Sequence, residues 1–332
     1  MAIDVHAHFY GGLVETLRHR RERPYVATTA DGQATLHAMT ADTPLSPSYT
    51  DVPTRLAYLD SRGIATQVMT FPGALGLDVL PPAQSLPLVT AFNDNLAAIC
   101  RDSKNRLHGL AGLPLADMQA AVAELRRARL HLGLLGAILP GDMLLTIERA
   151  QCLQPLFEAA DEVGALLMVH PGLAPGATPP EPFPDTSVYR ASALNLQASL
   201  SHMALTLVFG GFVERYRNIA FQVVNLGGTL PFILERIDAI AATRYPGAPF
   251  PIETLRKLYF DTASLGPNAV ALAVKVFGAD RVMLGTDYPI FAPDTVRESV
   301  AGAAITEADK QLVLRGTAAR LVSRFGGRPM GT

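Results

Sequence analysis

Residues 2–8 read AIDVHAH, a short apolar run that predicts a β-strand carrying two histidines. Residues two apart in a strand point to the same face, so the side chains of His6 and His8 project together. Two imidazoles converging from the end of a buried strand suit a divalent cation of the zinc type. A lone His-x-His pair is weak support for a metal, so the rest of the chain has to decide.

Seven further apolar runs follow, separated by segments of helical periodicity. The predicted strands are Ala2–Val5, Ala65–Thr70, Leu107–Leu113, Leu134–Leu139, Ala165–Val169, Ile219–Val224, Leu258–Asp261 and Arg281–Gly285. The predicted helices are Asp51–Arg62, Leu86–Ser103, Asp117–His131, Glu148–Val163, Ser192–Val213, Thr229–Ala242 and Asn268–Phe277. Strands that are apolar on both faces are expected where helices cover a parallel sheet. This alternation predicts an α/β fold, a closed (β/α)8 TIM barrel, as one domain over residues 1–332.

Two stretches interrupt the alternation. Residues 11–50 follow the first strand and contain Asp31-Gly32, a hairpin-turn signal, with Ala34–Met39 as the returning strand. Residues 171–187 are rich in proline and glycine, which excludes a helix there. Long loops after the first and fifth strands of a barrel lie over its carboxyl end, so both stretches are candidate covers for a substrate.

Composition excludes several classes of protein. Hydrophobic residues make up 49% of the chain and charged residues 17%, which predicts a folded core and excludes disorder. The net charge of −2, without a basic stripe, argues against nucleic-acid binding. No apolar run has the length of a membrane span. The two cysteines, Cys100 and Cys152, are expected to be buried free thiols, and a cytoplasmic location is predicted.

Two other strands end in residues that bind metals. Residues 166–172 read LLMVHPG, with His170 at the end of the fifth strand, and residues 282–289 read VMLGTDYP, with Asp287 after the eighth. Taken singly, His170 could be a buried histidine bonded to backbone, and Asp287 could be a helix N-cap. Three histidines and one aspartate at the ends of strands one, five and eight have the composition of a metal site, because those ends meet in a barrel.

These motifs together resemble the amidohydrolase-related family, which includes aminocarboxymuconate semialdehyde decarboxylase, γ-resorcylate decarboxylase and 6-methylsalicylate decarboxylase. The resemblance covers nearly the whole chain and rests on residues 3–9, 58–64, 107–114, 169–171, 210–215, 227–231 and 284–289. It implies a barrel of the metallo-dependent hydrolase type with a small β-hairpin insertion after the first strand. It also implies one divalent ion held by His6, His8, His170 and Asp287, usually zinc, in some members manganese or magnesium.

The chain departs from this family at two positions. Asn225 lies where the family has a histidine that shuttles protons, and an amide cannot act as a general base. Leu36 aligns with the arginine that grips a carboxylate in the semialdehyde decarboxylase. We therefore expect Asp287 to take over proton transfer, with His202 as a weaker candidate, and Asn225 to orient water or substrate through hydrogen bonds.

The resemblance also suggests residues that bind the substrate. Arg236 matches an arginine that reaches the neighbouring subunit's site, which implies a homodimer or dimer-based oligomer and a small carboxylate substrate. A salt bridge with Glu235 or Asp238 is the structural alternative. Phe183, Tyr189 and Arg190 could line the pocket, and loop packing is the alternative for each of them.

Three functions remain open on the sequence alone. The first is a metal-dependent lyase, of decarboxylase type, acting on a small aromatic or unsaturated carboxylic acid. The second is a metal-dependent hydrolase of an amide, a lactone or a C–C bond, with a metal-activated water. The third is a retired barrel that binds a metabolite, which only Asn225 favours.

Overall fold

Eight parallel strands form the centre of the protein, whose computed structural model describes residues 1–30, 32–178, 189–263, 265–291 and 293–326. These eight strands are β1 (Ala2–His8), β5 (Ile64–Thr70), β6 (Leu107–Ala111), β7 (Gly136–Pro140), β8 (Ala165–His170), β9 (Ile219–Val223), β10 (Tyr259–Asp261) and β11 (Val282–Met283). Three further strands, β2 (Tyr25–Thr28), β3 (Ala34–His37) and β4 (Asp42–Pro44), form a separate sheet. The parallel sheet has the order β1-β5-β6-β7-β8-β9-β10-β11.

Backbone hydrogen bonds between β1 and the segment that follows β11 close this sheet into a barrel. The N–H of Val5 donates to the carbonyl of Leu284 (2.9 Å), and the N–H of His8 donates to that of Tyr288 (2.8 Å). β1 is longer than predicted, because it keeps pairing with β5 up to His8 opposite Thr70. The predicted (β/α)8 barrel is confirmed.

Helices surround the barrel and connect its strands. They are α1 (Leu13–Arg18), α2 (Pro47–Thr50), α3 (Val52–Ser61), α4 (Pro82–Asp102), α5 (Met118–Leu130), α6 (Ile147–Gln151), α7 (Gln154–Val163), α8 (Leu196–Phe209), α9 (Phe212–Arg215), α10 (Leu230–Arg244), α11 (Ile252–Leu255), α12 (Pro267–Phe277), α13 (Pro293–Gly302), α14 (Glu307–Gln311) and α15 (Thr317–Phe325). π-Helical turns occupy Arg190–Asn195 and Leu312–Gly316. None of the helices in the described part of the chain has both the length and the apolar character needed to cross a bilayer.

Two predicted helices are each divided in the structure. The predicted helix Glu148–Val163 breaks into α6 and α7, because Pro155 in the first turn of α7 lacks the N–H that a continuous helix would need. The predicted helix Ser192–Val213 ends at Phe209, because Gly211 adopts the left-handed conformation (φ 72°). The expectation that both cysteines are buried is wrong: Cys152 lies exposed in the link between α6 and α7, and Cys100 in α4 is only partly buried.

The insertion after β1 contains the predicted hairpin, formed by β2 and β3, and a third antiparallel strand, β4, completes its sheet. The N–H of Tyr10 donates to the carbonyl of Tyr49 (2.8 Å), and the N–H of Thr40 donates to that of Ala74 (3.2 Å). Tyr10 follows β1 and Ala74 follows β5. The insertion therefore packs at the carboxyl end of the barrel, where barrel enzymes keep their sites.

A buried carboxylate, that of Asp4, joins β1 to β5 and to the segment after β11. Its Oδ1 accepts hydrogen bonds from the backbone N–H groups of His6 (3.1 Å) and Thr286 (3.0 Å). Its Oδ2 accepts from Oγ1 of Thr286 (2.6 Å) and Nε2 of Gln67 (2.7 Å). These four bonds supply the partners that a buried charge needs inside the barrel.

Arg55 of α3 extends this network outside the barrel wall. Its guanidinium is fully buried and donates to Oε1 of Gln67 (3.0 Å) and to the carbonyls of His8 (2.7 Å) and Ser48 (2.6 Å). The same group lies 4.5 Å from the centre of the Tyr288 ring. One side chain therefore holds the end of β1, the insertion and the segment after β11 in place.

Replacing Arg55 by Met tests this network. The apolar variant leaves two carbonyls and Gln67 without their donor in the interior, so we expect the free energy of unfolding to fall by about 3–5 kcal/mol. Chemical denaturation measures the change. In the matched control Arg126→Met, which removes the exposed pair with Glu162, a loss of about 0.5 kcal/mol or less is expected. Equal losses in both variants would contradict the role of Arg55.

Candidate metal centre

Four side chains converge at the carboxyl end of the barrel. His6 and His8 belong to β1, His170 is the last residue of β8, and Asp287 follows β11. One potential ligand atom from each lies within 4.8 Å of all the others. The three imidazole rings are mutually near-perpendicular, and each pair of ring centres is 5.1 Å apart. The predicted ligand set is thus brought together from strands that are far apart in the sequence.

Two of the three imidazoles, those of His6 and His170, are oriented by partners behind them. Nδ1 of His6 lies 3.2 Å from Oδ2 of Asp261, and Nδ1 of His170 lies 2.9 Å from the carbonyl of Pro171. Nε2 of both rings therefore faces the centre of the cluster. Nε2 of His8 lies 2.9 Å from Oδ1 of Asp287, and Nε2 of His6 lies 3.7 Å from the same oxygen. A carboxylate or carbonyl behind an imidazole is the usual way in which proteins fix a metal-binding histidine.

Asp261, at the end of β10, contacts the cluster through His6 and was not singled out by the sequence. Its Oδ1 accepts from the backbone N–H groups of Asn225 (3.1 Å) and Ala263 (3.1 Å), and its Oδ2 accepts from Nε2 of Gln222 (2.8 Å). Burial raises the pKa of this carboxyl, but His6 and the hydrogen bonds outweigh burial and lower it. Asp261 is therefore an ionised carboxylate behind His6. In the sequence, only its place at the end of the predicted strand Leu258–Asp261 could have indicated this position.

The electrostatics of the cluster suit a divalent cation. Burial lowers the pKa of His6, but the carboxylates of Asp261 and Asp287 outweigh it and raise the pKa to about 9. Burial and the neighbouring His8 and His6 lower the pKa of His170 to about 3. At neutral pH the two carboxylates therefore exceed the charge of one protonated imidazole by one negative unit. A divalent cation in place of that proton would be balanced by the same two carboxylates.

The turn after β11 brings Asp287 over the barrel. The N–H groups of Thr286 (3.2 Å) and Asp287 (2.7 Å) both donate to the carbonyl of His6. Asp287 has a φ of 55°, a left-handed conformation that aspartate tolerates better than most residues. A Cβ atom on Gly285 would lie 2.8 Å from Cβ of Asp261, so only glycine lets the two segments approach this closely. The Gly-Thr-Asp sequence is thus explained by geometry.

The donor set fits a metal ion. Nε2 of His6, Nε2 of His8 and Oδ1 of Asp287 are buried without a hydrogen bond of normal geometry to any described residue. Such atoms are costly unless something binds them. Three imidazole nitrogens and one carboxylate oxygen are ligands that zinc and manganese accept. Ligands of one zinc ion lie about 3–4 Å apart, close to the spacing here.

The other predicted site residues differ in their burial and in their place in the fold. Asn225 is buried, with a φ of 52°, and its backbone reaches the cluster through Asp261. Tyr189 is 75% exposed, and Arg190 is exposed in the π-helical turn before α8. Phe183 lies outside the described residues. The pocket-lining role of these last three residues stays a prediction.

Arg236 and His202 are exposed on the outer helices. Arg236 lies on α10 and pairs with neither Glu235 nor Asp238, so the local salt bridge does not form among the described residues. His202 is exposed on α8. Within this chain, the structure joins neither side chain to the cluster.

Comparison with known proteins gives one family and several relatives. A family model described as amidohydrolase matches residues 3–324. The 2-amino-3-carboxymuconate-6-semialdehyde decarboxylase of Dictyostelium discoideum is 26% identical over 248 residues, which cover 71% of this chain and 67% of the relative. The γ-resorcylate decarboxylase of a Rhizobium species is 26% identical over 296 residues, which cover 82% of this chain and 87% of the relative.

A solved structure has the same fold. The dihydroxybenzoic acid decarboxylase of a Polaromonas species, with bound manganese and the inhibitor 2-nitroresorcinol, superposes with a TM-score of 0.73. Its sequence identity to this chain is 21%, and the match covers 97% of this chain and 96% of that one. At this identity the likeness concerns the fold alone.

Asp261→Asn tests whether the carboxylate behind His6 supports metal binding. The amide keeps the shape but removes the charge that orients the imidazole, so we expect metal affinity to fall about 10- to 100-fold. Competition with a chromophoric chelator measures it. Asp280→Asn, at an exposed carboxylate beside Arg281, is the control and should bind metal normally. Normal affinity in Asp261→Asn would show that His6 needs no such partner.

Proposed function

Because the chain belongs to the amidohydrolase family, we propose that it is a metal-dependent decarboxylase of a small aromatic or unsaturated carboxylic acid. The observation that carries this proposal is the cluster of three imidazoles and one carboxylate within 4.8 Å at the mouth of the barrel. Decarboxylases among its relatives, at 26% identity, support the reaction type. Hydrolysis by a metal-activated water is the alternative reaction, and the experiment below separates the two.

We propose that His6, His8, His170 and Asp287 hold one divalent ion. Zinc suits these ligands, and manganese, which the Polaromonas decarboxylase contains, suits them as well. When bound, such an ion polarises a carboxylate oxygen of the substrate. Asp261 keeps His6 in the tautomer that presents Nε2 to the ion, through the contact at Nδ1.

Decarboxylation breaks the bond between the substrate carbon and its carboxylate, and a proton replaces the lost CO₂. Asp287 is the residue proposed to carry that proton. Its side chain is 11% exposed, against 0% for His6 and 1% for His8, so it reaches the mouth. Oδ1 faces the imidazoles, which leaves Oδ2 to take a proton from water and pass it to the substrate carbon. Asn225 cannot titrate near neutral pH, so we assign it the orientation of substrate by hydrogen bonds.

We further propose that the enzyme works as a homodimer. Phe232 and Ile240 lie four residues before and after Arg236 on α10, so the three side chains share one helix face. Phe232 is 81% exposed and Ile240 39% exposed, which leaves an apolar surface around the arginine. A second copy covering this surface would bring Arg236 to a carboxylate in the neighbouring site. A cytoplasmic location remains the expectation for this enzyme.

Product analysis tests the proposed reaction. Purified protein loaded with zinc or manganese is incubated with γ-resorcylate and with other hydroxybenzoates and unsaturated dicarboxylates, and CO₂ release is measured. We expect release that requires metal and is absent in His170→Ala. Incorporation of solvent oxygen into product without CO₂ release, from amide or lactone substrates, would establish the hydrolase instead.

Asn225→Ala tests the positioning role of the amide. Loss of one hydrogen-bond donor in a site of this type typically lowers kcat about 100-fold. We expect that loss with unchanged metal content, because the side chain is not a proposed ligand. Asn218→Ala removes an exposed amide and serves as the control. Unchanged kcat in Asn225→Ala would mean that the side chain does not face the substrate.

A further inference from the structure

A polar cavity lies between the segment after α1 and the first strand of the insertion. Its volume is about 450 Å³, and its lining residues are Arg18, Arg20, Arg21, Tyr25, Val26, Ala27 and Thr28. Three of these seven residues are arginines, all from the basic stretch RHRRER at residues 18–23, and none is acidic. None of them belongs to the metal cluster. The cavity is therefore a separate concave surface whose charged groups all have the same sign.

Two of the three guanidinium groups lack a carboxylate partner. Arg20 donates only to neutral oxygens, including Oε1 of Gln84 (2.9 Å). Arg21 makes no hydrogen bond or ion pair within the described part of the chain. Nε of Arg18 lies 3.5 Å from Oε2 of Glu15, the one carboxylate that approaches these arginines. The cavity thus carries positive charge that its described surroundings do not neutralise.

Contacts with the rest of the chain hold two of the arginines at the cavity wall. Nη1 of Arg18 donates to Oγ1 of Thr28 (2.8 Å), which joins the end of α1 to β2. Nε of Arg20 donates to the carbonyl of Pro24 (2.8 Å), while its Nη2 reaches Gln84 in the first turn of α4. Side chains that are already held lose less conformational entropy when a ligand binds. The site is therefore partly preorganised.

The free edge of β2 adds backbone donors to the same cavity. β2 pairs with β3 along one edge only, and the N–H of Thr29, just after β2, donates to the carbonyl of Gln33 (3.0 Å). Since N–H groups point to alternate edges along an antiparallel strand, those of Val26 and Thr28 point away from β3. All four residues of β2 line the cavity and none of β3 does, so the cavity follows this free edge.

We propose that this arginine cavity binds a small soluble molecule that carries a phosphate monoester. Such a phosphate has close to two negative charges and three acceptor oxygens, which suit guanidinium groups and backbone N–H groups together. A carboxylate has one charge and two oxygens, so it satisfies fewer of these donors. The volume is that of a site for a small molecule.

The surroundings of the cavity disfavour a large polyanion. Glu15 and Glu22 are both exposed beside the arginines, and neither lines the cavity. These carboxylates would repel the neighbouring phosphates of a nucleic acid or an anionic membrane, whereas a single phosphate inside the cavity avoids them. The positive charge is therefore suited to one phosphate group and not to an extended charged surface.

Calorimetric titration with inorganic phosphate, the group common to all such ligands, tests the site. Phosphate can also bind a metal ion, so the titration is run on metal-loaded wild type and on His170→Ala, in which the metal centre is disrupted. We expect saturable binding in both proteins, weakened by added sodium chloride because the cavity is open to solvent. In His170→Ala, acetate should bind more weakly than phosphate.

Arg21→Met, made in the His170→Ala protein, isolates the cavity. Because Arg21 has no partner in the described chain, the thermal midpoint should not change. The Kd of phosphate should rise about tenfold, because a charge-assisted hydrogen bond is lost. The matched control is Arg101→Met, which removes an exposed arginine in the last turn of α4, at the other end of the helix from Gln84. It should bind phosphate as its parent does.

Several results would overturn the assignment. Phosphate binding that disappears in His170→Ala would belong to the metal centre and not to the cavity. An unchanged Kd in Arg21→Met would show that this arginine does not reach the ligand, and equal losses in Arg21→Met and Arg101→Met would indicate diffuse attraction. Protein that ignores phosphate but binds an oligonucleotide or a vesicle of anionic lipid would have a macromolecular partner instead.

Discussion

Closure of the barrel between β1 and the segment after β11 is the constraint on which the site depends. The carbonyl of His6 accepts from the N–H groups of Thr286 and Asp287, so a histidine and an aspartate from opposite ends of the chain meet at one seam. Asp4 ties the same seam together from inside the barrel, and Arg55 holds it from outside. Without this closure His6 and His8 would have no carboxylate opposite them. Stability and ligand geometry thus rest on the same few bonds.

Buried charges at this end of the barrel stabilise one another. Asp261 and Asp287 would each be expensive to bury alone, and so would a protonated His6. In the cluster the two carboxylates raise the pKa of His6, while the imidazoles lower the pKa of both carboxyls. Such an arrangement is a poor way to gain stability, because an apolar core of the same volume costs no desolvation. Its retention is understandable if a divalent cation binds there.

Much of the fold and the ligand set could be predicted because both depend on local patterns. Alternation along AIDVHAH places His6 and His8 on one face, and the strand ends at His170 and Asp287 share one end of any parallel barrel. Asp261 escaped prediction because its contact with His6 joins residues 255 positions apart, and nothing local distinguishes it from other strand ends. The buried position of Arg55 could not be predicted either, because an arginine on a helix is usually exposed. The divided helices depend on single residues, Pro155 and Gly211, whose effect overrides apolar periodicity.

The departures from the family make chemical sense together. Asn225 keeps a hydrogen-bonding group beside the cluster but cannot titrate near neutral pH, which is why we propose Asp287 for proton transfer. Leu36 is buried in β3 and carries no charge that could bind a carboxylate.

The most direct measurement is an anomalous difference map from crystals grown with manganese or zinc. We expect one strong peak per chain, bonded to Nε2 of His6, His8 and His170 and to Oδ1 of Asp287, with Asp261 still on Nδ1 of His6. A map with no peak among these atoms, or with a peak bound elsewhere, would contradict the account.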